Sequence, residues 1–346
     1  MKTIITGGAG FIGSNAASRY LQRGHTVVLV DNLSRENVQK NLDWLRSQGS
    51  LDFVRLDIRN GEELARLFQK HRDADRVLHL GAQVAVTTSV IDPREDFEIN
   101  ALGSFNVLEA MRKSGMTAPV LYSSTNKVYG EMADVGIVQE HGRYSYGSLP
   151  FGVAEDRSLD FHSPYGCSKG AADQYFVDYQ RIYGLRTIVF RQSCIYGYRQ
   201  FGAEDQGWVA WFLIAAQLGR PITIYGDGRQ VRDILFINDL LDAYDAAFEA
   251  GDRVVGKAYN IGGGVRNVLS LLELVSYIEK RQGQRLPHSF SDWRPGDQKV
   301  FVSDIRCAQR ELGWEPKTGC IAGLDLLYDW VAQNKSLFGA PAPVIA

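Results

Sequence analysis

This chain of 346 residues has little of several things that would otherwise define it. It has four cysteines, Cys167, Cys194, Cys307 and Cys320, too scattered for a disulfide framework or for metal-ligand spacing. All four are expected as free thiols, and no metal is expected. It has no surplus of one charge: 38 basic against 40 acidic residues leave a formal net charge of -2. That balance offers no footprint for nucleic acid or for an anionic membrane. No apolar run is long enough to span a bilayer. The N-terminus lacks the apolar stretch and cleavage site of a signal peptide, so a cytoplasmic location is expected. Repeats and low-complexity runs are missing too. The alternating Ala and Pro of the last eight residues, 339–346, read as a frayed tail.

What is present is an ordinary globular composition, 45% apolar and 23% charged. Short β-branched runs at 2–6, 26–31, 52–56, 77–80, 120–123 and 187–191 read as strands. They alternate with helical patterns at 10–23, 96–114 and 164–183. That alternation predicts an α/β fold, a Rossmann-type doubly wound parallel sheet with right-handed crossovers. The pattern changes near Ile195. A Gly- and Tyr-rich stretch, a helix at 208–218, and strands at 222–225 and 258–261 follow. They predict a smaller, mixed α/β substrate-binding lobe. The expected division is 1–192 plus 233–262 for the dinucleotide-binding domain and 193–232 plus 263–338 for that lobe.

The loop Thr6-Gly7-Gly8-Ala9-Gly10-Phe11-Ile12-Gly13 joins the first strand to the first helix. Gly8, Gly10 and Gly13 satisfy G-x-G-x-x-G, and Gly7, Gly10 and Gly13 a wider spacing. Glycine permits the tight turn and the approach of backbone to pyrophosphate, which then meets a helix N-terminus. Asp31 ends the second strand, where a carboxylate accepts from both adenosine ribose hydroxyls and repels a 2′-phosphate. NAD is therefore expected over NADP, with Arg35 nearby to soften the preference. Asp57 and Ile58 are placed either to hold the adenine or to make a turn.

Tyr165 and Lys169 stand four apart and share a helix face. A neighbouring ammonium and a cationic nicotinamide are expected to lower the Tyr165 phenol from its usual pKa near 10, making it a base for a secondary alcohol. Lys169 is also placed to hold the nicotinamide ribose. Thr125, upstream in Ser123-Ser124-Thr125, is placed to orient the reacting hydroxyl.

With those motifs in hand, the chain resembles the extended short-chain dehydrogenase/reductases of the nucleotide-sugar epimerase group. The likeness runs through Thr6 to Gly13, Asp57-Ile58, His79-Leu80-Gly81-Ala82, Asn100, Tyr122-Ser123-Ser124-Thr125, Tyr129-Gly130, Tyr165 to Lys169, Arg232-Asp233 and Arg294-Pro295-Gly296-Asp297. Within the group it is most similar to the CDP-sugar 2-epimerases, through Ser123 to Gly130, Asp160 to Tyr175 and Arg199-Gln200-Phe201. The resemblance implies Thr125, Tyr165 and Lys169 as catalytic residues. It adds Phe11, Ile12, Asn32, Leu80, Gly81, Ala82, Asn100 and Ser123 to the cofactor site. For the substrate it implies Gln83, Thr87, Asn126, Lys127, Ser193, Arg199, Gln206, Tyr225, Arg232 and Arg294, with the two last-named arginines on the diphosphate.

Some of these positions keep a plainer reading beside the functional one. Thr87, Thr88 and Ser89 suit sugar contact or helix capping, and Lys127 suits substrate contact or a solvated surface. Tyr225 and Trp208 suit the nucleotide pocket or the core, and His162 suits a packed loop. Sugar dehydratases and decarboxylases of the group carry carboxylates where Asn126-Lys127 stands, so neither reaction is expected. The expected reaction is NAD-dependent epimerisation of a nucleotide-diphosphate sugar, a CDP-hexose inverted at C2, by a homodimer or homotetramer. The alternatives are a UDP-sugar 4-epimerase and a non-catalytic NAD-binding sensor.

Overall fold

The computed structural model of the chain describes residues 1–294 and 296–339. The predicted tail therefore lies, from residue 340 on, outside the described residues, as does Pro295. From the N-terminus, β1 (Lys2–Thr6) leads through the glycine loop to α1 (Phe11–Gln22), then β2 (Thr26–Asp31), α2 (Val38–Arg46), β3 (Asp52–Arg55), α3 (Gly61–Lys70) and β4 (Arg76–His79). Next come α4 (Val86–Ile91), α5 (Pro93–Phe97), α6 (Gly103–Ser114), β5 (Val120–Thr125), β6 (Ile137–Glu140), β7 (Arg143–Tyr146), α7 (Ser163–Tyr183), β8 (Thr187–Gln192) and β9 (Cys194–Tyr196). The remainder is α8 (Trp208–Gln217), β10 (Ile222–Tyr225), β11 (Val231–Phe236), α9 (Ile237–Ala250), β12 (Lys257–Ile261), β13 (Val268–Ser270), α10 (Leu271–Gln282), β14 (His288–Ser291), β15 (Val300–Phe301), α11 (Arg306–Leu312) and α12 (Cys320–Gln333).

Seven strands form one parallel sheet in the order β12-β8-β5-β4-β1-β2-β3. Its inner strands are apolar on both faces, which is why they read as unbroken runs, while the edge strand β3 is partly exposed. Ile5, Leu29, Leu78 and Leu121 face one core with Ala16 and Tyr20 of α1 and Leu42 of α2. Their neighbours Ile4, Val28, Val77 and Val120 face the other, with Phe68 of α3, Val107 of α6 and Phe176 of α7. The chain winds outward from β1 to β3 and then restarts on the other side with β4. The crevice at that switch, beyond the carboxyl ends of β1 and β4, is where such sheets bind ligands.

A second, mixed sheet pairs β11 with β9, β13 and β15, and β10 pairs with β14 alongside. The segment expected as one helix over 96–114 is interrupted. A π turn, Glu98–Leu102, separates α5 from α6. This wider turn sets Asn100 facing inward, fully buried. The β6–β7 hairpin had no clear sequence signal. It clamps onto the mixed lobe through the Tyr144 hydroxyl, 2.6 Å from Asp227 Oδ2, and the Tyr146 hydroxyl, 2.9 Å from the Val300 carbonyl. All four cysteines are free. No described helix is long and apolar enough to cross a membrane.

Candidate active site

One cleft collects most of the candidate residues. Its cofactor half begins at the glycine loop, where backbone meets backbone. A Cβ on Gly13 would come within 2.3 Å of the Gly7 carbonyl, and one on Gly7, at φ +65°, within 2.6 Å of the Gly81 N–H nitrogen. Only glycine permits that approach. Helix α1 starts with no side-chain cap and no acidic residue in its first turn, so its leading N–H groups are left to a ligand. Asp31 accepts from the Ala9 and Leu33 N–H groups at 3.0 and 2.8 Å, and burial holds its carboxyl above the usual range. Asp57 is held low, at about 2, chiefly by its hydrogen bonds with Arg59, and Asn32 donates to it at 2.9 Å. Below the loop His79 is fully buried between Thr6 Oγ1 (2.7 Å) and Ser104 Oγ (2.9 Å). Its burial depresses the imidazole to about 3, so it stays neutral.

The middle of the cleft lies where β5 ends beside the start of α7. Thr125 closes β5, and its Oγ1 accepts from the Lys127 N–H at 3.2 Å, starting a short 3-10 turn over Asn126–Tyr129. Pro164 sits in the first turn of α7 and so brings Tyr165 in early. Gly166 follows because a Cβ there would lie 3.2 Å from the Lys127 carbonyl. Tyr165 and Lys169 both line the cleft and are both buried.

Their titration differs from the sequence expectation. Burial pushes the Tyr165 phenol up to about 12, with a hydrogen bond from Thr125 opposing. Lys169 does not bring it down, because its ammonium donates to the Ser123 carbonyl at 2.5 Å and lies 4.3 Å from the centre of the Tyr122 ring. Burial lowers Lys169 itself to about 7, while Asp173 and Asp96 pull it back toward charge. The expected lowering of Tyr165 therefore depends on the cationic ring of a bound dinucleotide. Asp173 makes a two-bond ion pair with Arg191, 3.0 Å in each case, and accepts from Ser124 Oγ at 2.7 Å.

The rest of the cleft faces the mixed sheet. Thr87, Asn126, Lys127, Ser193, Gln206, Arg232 and Arg294 all line the cleft. Lys127 reaches the Gly296 carbonyl at 2.9 Å, and burial with Arg232 beside it lowers its ammonium to about 8. Ser193 donates to the buried Asp233 carboxylate. Gln206 accepts from Arg35 at 3.0 Å, and Thr87 donates to Asp205 Oδ2 at 3.0 Å, so the 203–207 turn bridges the cleft to the cofactor half.

Four expected residues stand off the cleft wall. Asn100 is spent inside: its Oδ1 accepts from the Gln83 N–H at 2.9 Å, and its Nδ2 donates to Asp96 and Ser168. Gln83 folds back onto the Ala85 carbonyl and Asp96 at 2.7 and 3.1 Å. Arg199 stacks over Trp44, 4.1 Å from the ring centre, and does not line the cleft. Tyr225 lies behind Arg294, whose guanidinium sits 3.6 Å over its ring. Ser89, which had suited sugar contact or capping, instead accepts from the Tyr165 N–H at 3.2 Å and is buried. Cys194 lines the cleft beside Lys127 with Trp208 Nε1 3.0 Å from its sulfur, and nothing in the sequence marked it. Asp173 was legible in principle, one turn past Lys169 on the same face of α7.

A parallel doubly wound sheet with a capless helix start at its switch point defines a dinucleotide-dependent α/β enzyme. Comparison with known proteins narrows this. The model of the NAD dependent epimerase/dehydratase family matches residues 3–262. CDP-paratose 2-epimerase of Salmonella typhi is 45% identical over 96% of this chain and 100% of that protein. UDP-glucose 4-epimerase of Mycolicibacterium smegmatis is 32% identical over 97% and 100%. Among solved structures, UDP-glucuronic acid 4-epimerase from Bacillus cereus, in complex with UDP-glucuronic acid and NAD, superposes with a TM-score of 0.82 at 30% identity, covering 96% of this chain and 99% of its own. The Thermus thermophilus UDP-glucose 4-epimerase complex with NAD gives 0.79 at 31%, covering 95% and 98%. The chain belongs to the NAD dependent epimerase/dehydratase family, and its cofactor is NAD.

Proposed function

We propose that this enzyme inverts C2 of a CDP-linked deoxyhexose, interconverting CDP-paratose and CDP-tyvelose. The observation that carries the reading is the 45% identity, end to end, with a CDP-paratose 2-epimerase. It is supported by Asn126 and Lys127 beside Thr125 in the cleft, an amide and a cation in place of the carboxylates that elimination requires.

In this reading Gly7, Gly10, Phe11, Ile12 and Gly13 hold the dinucleotide pyrophosphate, and Asp31 and Asn32 the adenosine ribose. Asp57 and Ile58 flank the adenine. Leu80, Gly81, Ala82 and Ser123 line the path to the nicotinamide. When bound, NAD supplies the acceptor for the C2 hydride and the donor that returns it. Tyr165 takes the proton of the C2 hydroxyl and gives it back after inversion, and Thr125 orients that oxygen. Lys169, whose ammonium donates to the Ser123 carbonyl, is placed to hold the nicotinamide ribose, and the Tyr165 phenol is lowered by the cationic ring of the bound dinucleotide. Arg232 and Arg294 grip the diphosphate, so the 2-keto sugar turns over without leaving. The two-lobe division into 1–192 plus 233–262 and 193–232 plus 263–338 belongs to the same proposal, as does a cytoplasmic location.

The assembly is a homodimer or homotetramer through α6 and α7. Ile182 and Tyr183 of α7 are more than half exposed and Tyr175 nearly so, and Phe97 at the end of α5 is exposed as well. Phe105 meets Tyr175 and Tyr179 edge-on, which makes the two helices one apolar face.

The test is turnover of CDP-paratose in deuterated water, followed by NMR. Inversion at C2 with no deuterium at that carbon is expected, because the hydride goes and returns directly. Deuterium at C2 overturns the mechanism. Inversion of a UDP-hexose at C4, with CDP-paratose left unchanged, overturns the substrate.

A further inference from the structure

Lys127 has a position that proton transfer at Tyr165 does not use. Its backbone belongs to the catalytic floor, with its N–H on Thr125 Oγ1 at 3.2 Å and its carbonyl packed against Gly166. Its side chain then crosses toward the mixed lobe and donates to the Gly296 carbonyl at 2.9 Å. That bond uses one of three ammonium N–H donors. Arg232, Asp297 and Cys194 are the charged or titratable groups that face it. Arg232 lines the same cleft and donates through Nη1 to the Val231 carbonyl at 2.9 Å. Burial raises the Cys194 thiol, so it stays protonated. Two cations therefore stand against one carboxylate in the cleft. Burial first, and Arg232 second, disfavour the Lys127 ammonium, and an anion between the two cations favours it.

The chemistry of the sugar says which anion. In a nucleotide-diphosphate hexose the phosphate hangs from C1, which is bonded to C2, while C4 lies across the ring. Presenting the C2 hydroxyl to Thr125 and Tyr165 brings the sugar-bearing phosphate alongside them. Presenting C4 sends that phosphate to the far side of the ring. A site that works at C2 needs a cation close to the catalytic hydroxyls, and Lys127 is two residues beyond Thr125.

We propose that Lys127 is a positioning residue that holds the sugar-bearing phosphate from the catalytic side, opposite Arg232, and thereby selects C2 as the carbon presented for reaction. The inference rests on the reading of this chain as a nucleotide-sugar epimerase and adds to it the residue that chooses the carbon.

The experiment titrates CDP, UDP and CMP into NAD-loaded wild type, Lys127→Met and Lys127→Arg, and follows CDP-paratose turnover by NMR. Retained NAD marks a folded variant. Lys127→Met should bind CDP at least roughly tenfold more weakly, the loss expected for a charge-assisted hydrogen bond. Its CMP affinity should be unchanged, since CMP lacks the second phosphate. Turnover should fall with CDP affinity, and Lys127→Arg should restore much of both. Wild-type CDP affinity should also decline from pH 7 to 9 as the ammonium loses its proton, and Lys127→Arg should abolish that decline. A Lys127→Met protein that keeps the wild-type preference for CDP over CMP overturns the inference alone. A wild type that binds neither CDP nor UDP overturns the nucleotide-sugar reading and this assignment with it. Selective binding of UDP with the same Lys127 dependence upholds the phosphate grip and changes only the base.

Discussion

The Lys169 ammonium donates to the Ser123 carbonyl at 2.5 Å, tying the second turn of the catalytic helix to the strand end that delivers Thr125. Burial lowers Lys169 to about 7, well under the usual lysine value of 10.5. Between those two values the unfolded chain binds more protons than the folded one, so the group's contribution to stability rises with pH there.

Lys169→Met removes that contribution. Wild-type NAD-free protein should gain stability relative to the Met variant between pH 7.5 and 9.5, by at most about 1.4 kcal/mol per pH unit. Urea unfolding of both proteins across that range measures the difference. A difference that is flat with pH would mean that Lys169 stays charged when folded.

Tyr165→Phe keeps the ring's packing and removes the proton carrier. Turnover should fall by about 10²–10⁴-fold, the scale of general acid–base catalysis. NAD content should stay at the wild-type level, as measured by absorbance after denaturing the purified protein. Turnover within threefold of wild type would place the acid–base group elsewhere.

Asp31→Asn keeps an acceptor for the loop N–H groups but discards the charge. Discrimination against NADP should drop by roughly tenfold, because the repulsion of a 2′-phosphate is gone and Arg35 lines the same cleft. Competitive titration of NAD and NADP against NAD-depleted protein reads the ratio, and an unaltered ratio would refute the role.

Arg191 and Asp173 form an ion pair with both side chains almost wholly buried. Arg191→Met leaves Asp173 charged in the core and should cost about 3–5 kcal/mol of stability by urea unfolding. Asp173 also helps keep Lys169 charged, so a variant that folds should show a shifted pH–rate profile. A loss below about 1 kcal/mol would show that the Arg191 pair is not what holds Asp173 in the core.

Local sequence signals are strongest where a feature is built within a few residues. Gly7 to Gly13 is a single turn between strand and helix, and Tyr165 and Lys169 are one helical turn apart. Asn100 and Gln83 illustrate the limit. Both come from segments beside the cleft, yet the π turn at Glu98–Leu102 aims Asn100 into the protein, where it secures Gln83. Arg199 takes a left-handed backbone, φ +62°, and swings onto Trp44, a contact 155 positions away in sequence that no local pattern encodes.

The amino-acid sequence alone determined the parallel sheet, the dinucleotide loop, and the pairing of Tyr165 with Lys169 on one helix face. Those features depend on periodicity and spacing, which are properties of neighbouring residues. Tertiary structure decided what the site's charges face. It set Lys127 beside Arg232 and Asp297, turned Lys169 to the Ser123 carbonyl and buried Tyr165. Protonation and charge balance depend on burial and on partners brought from distant segments, and only the folded chain brings them together.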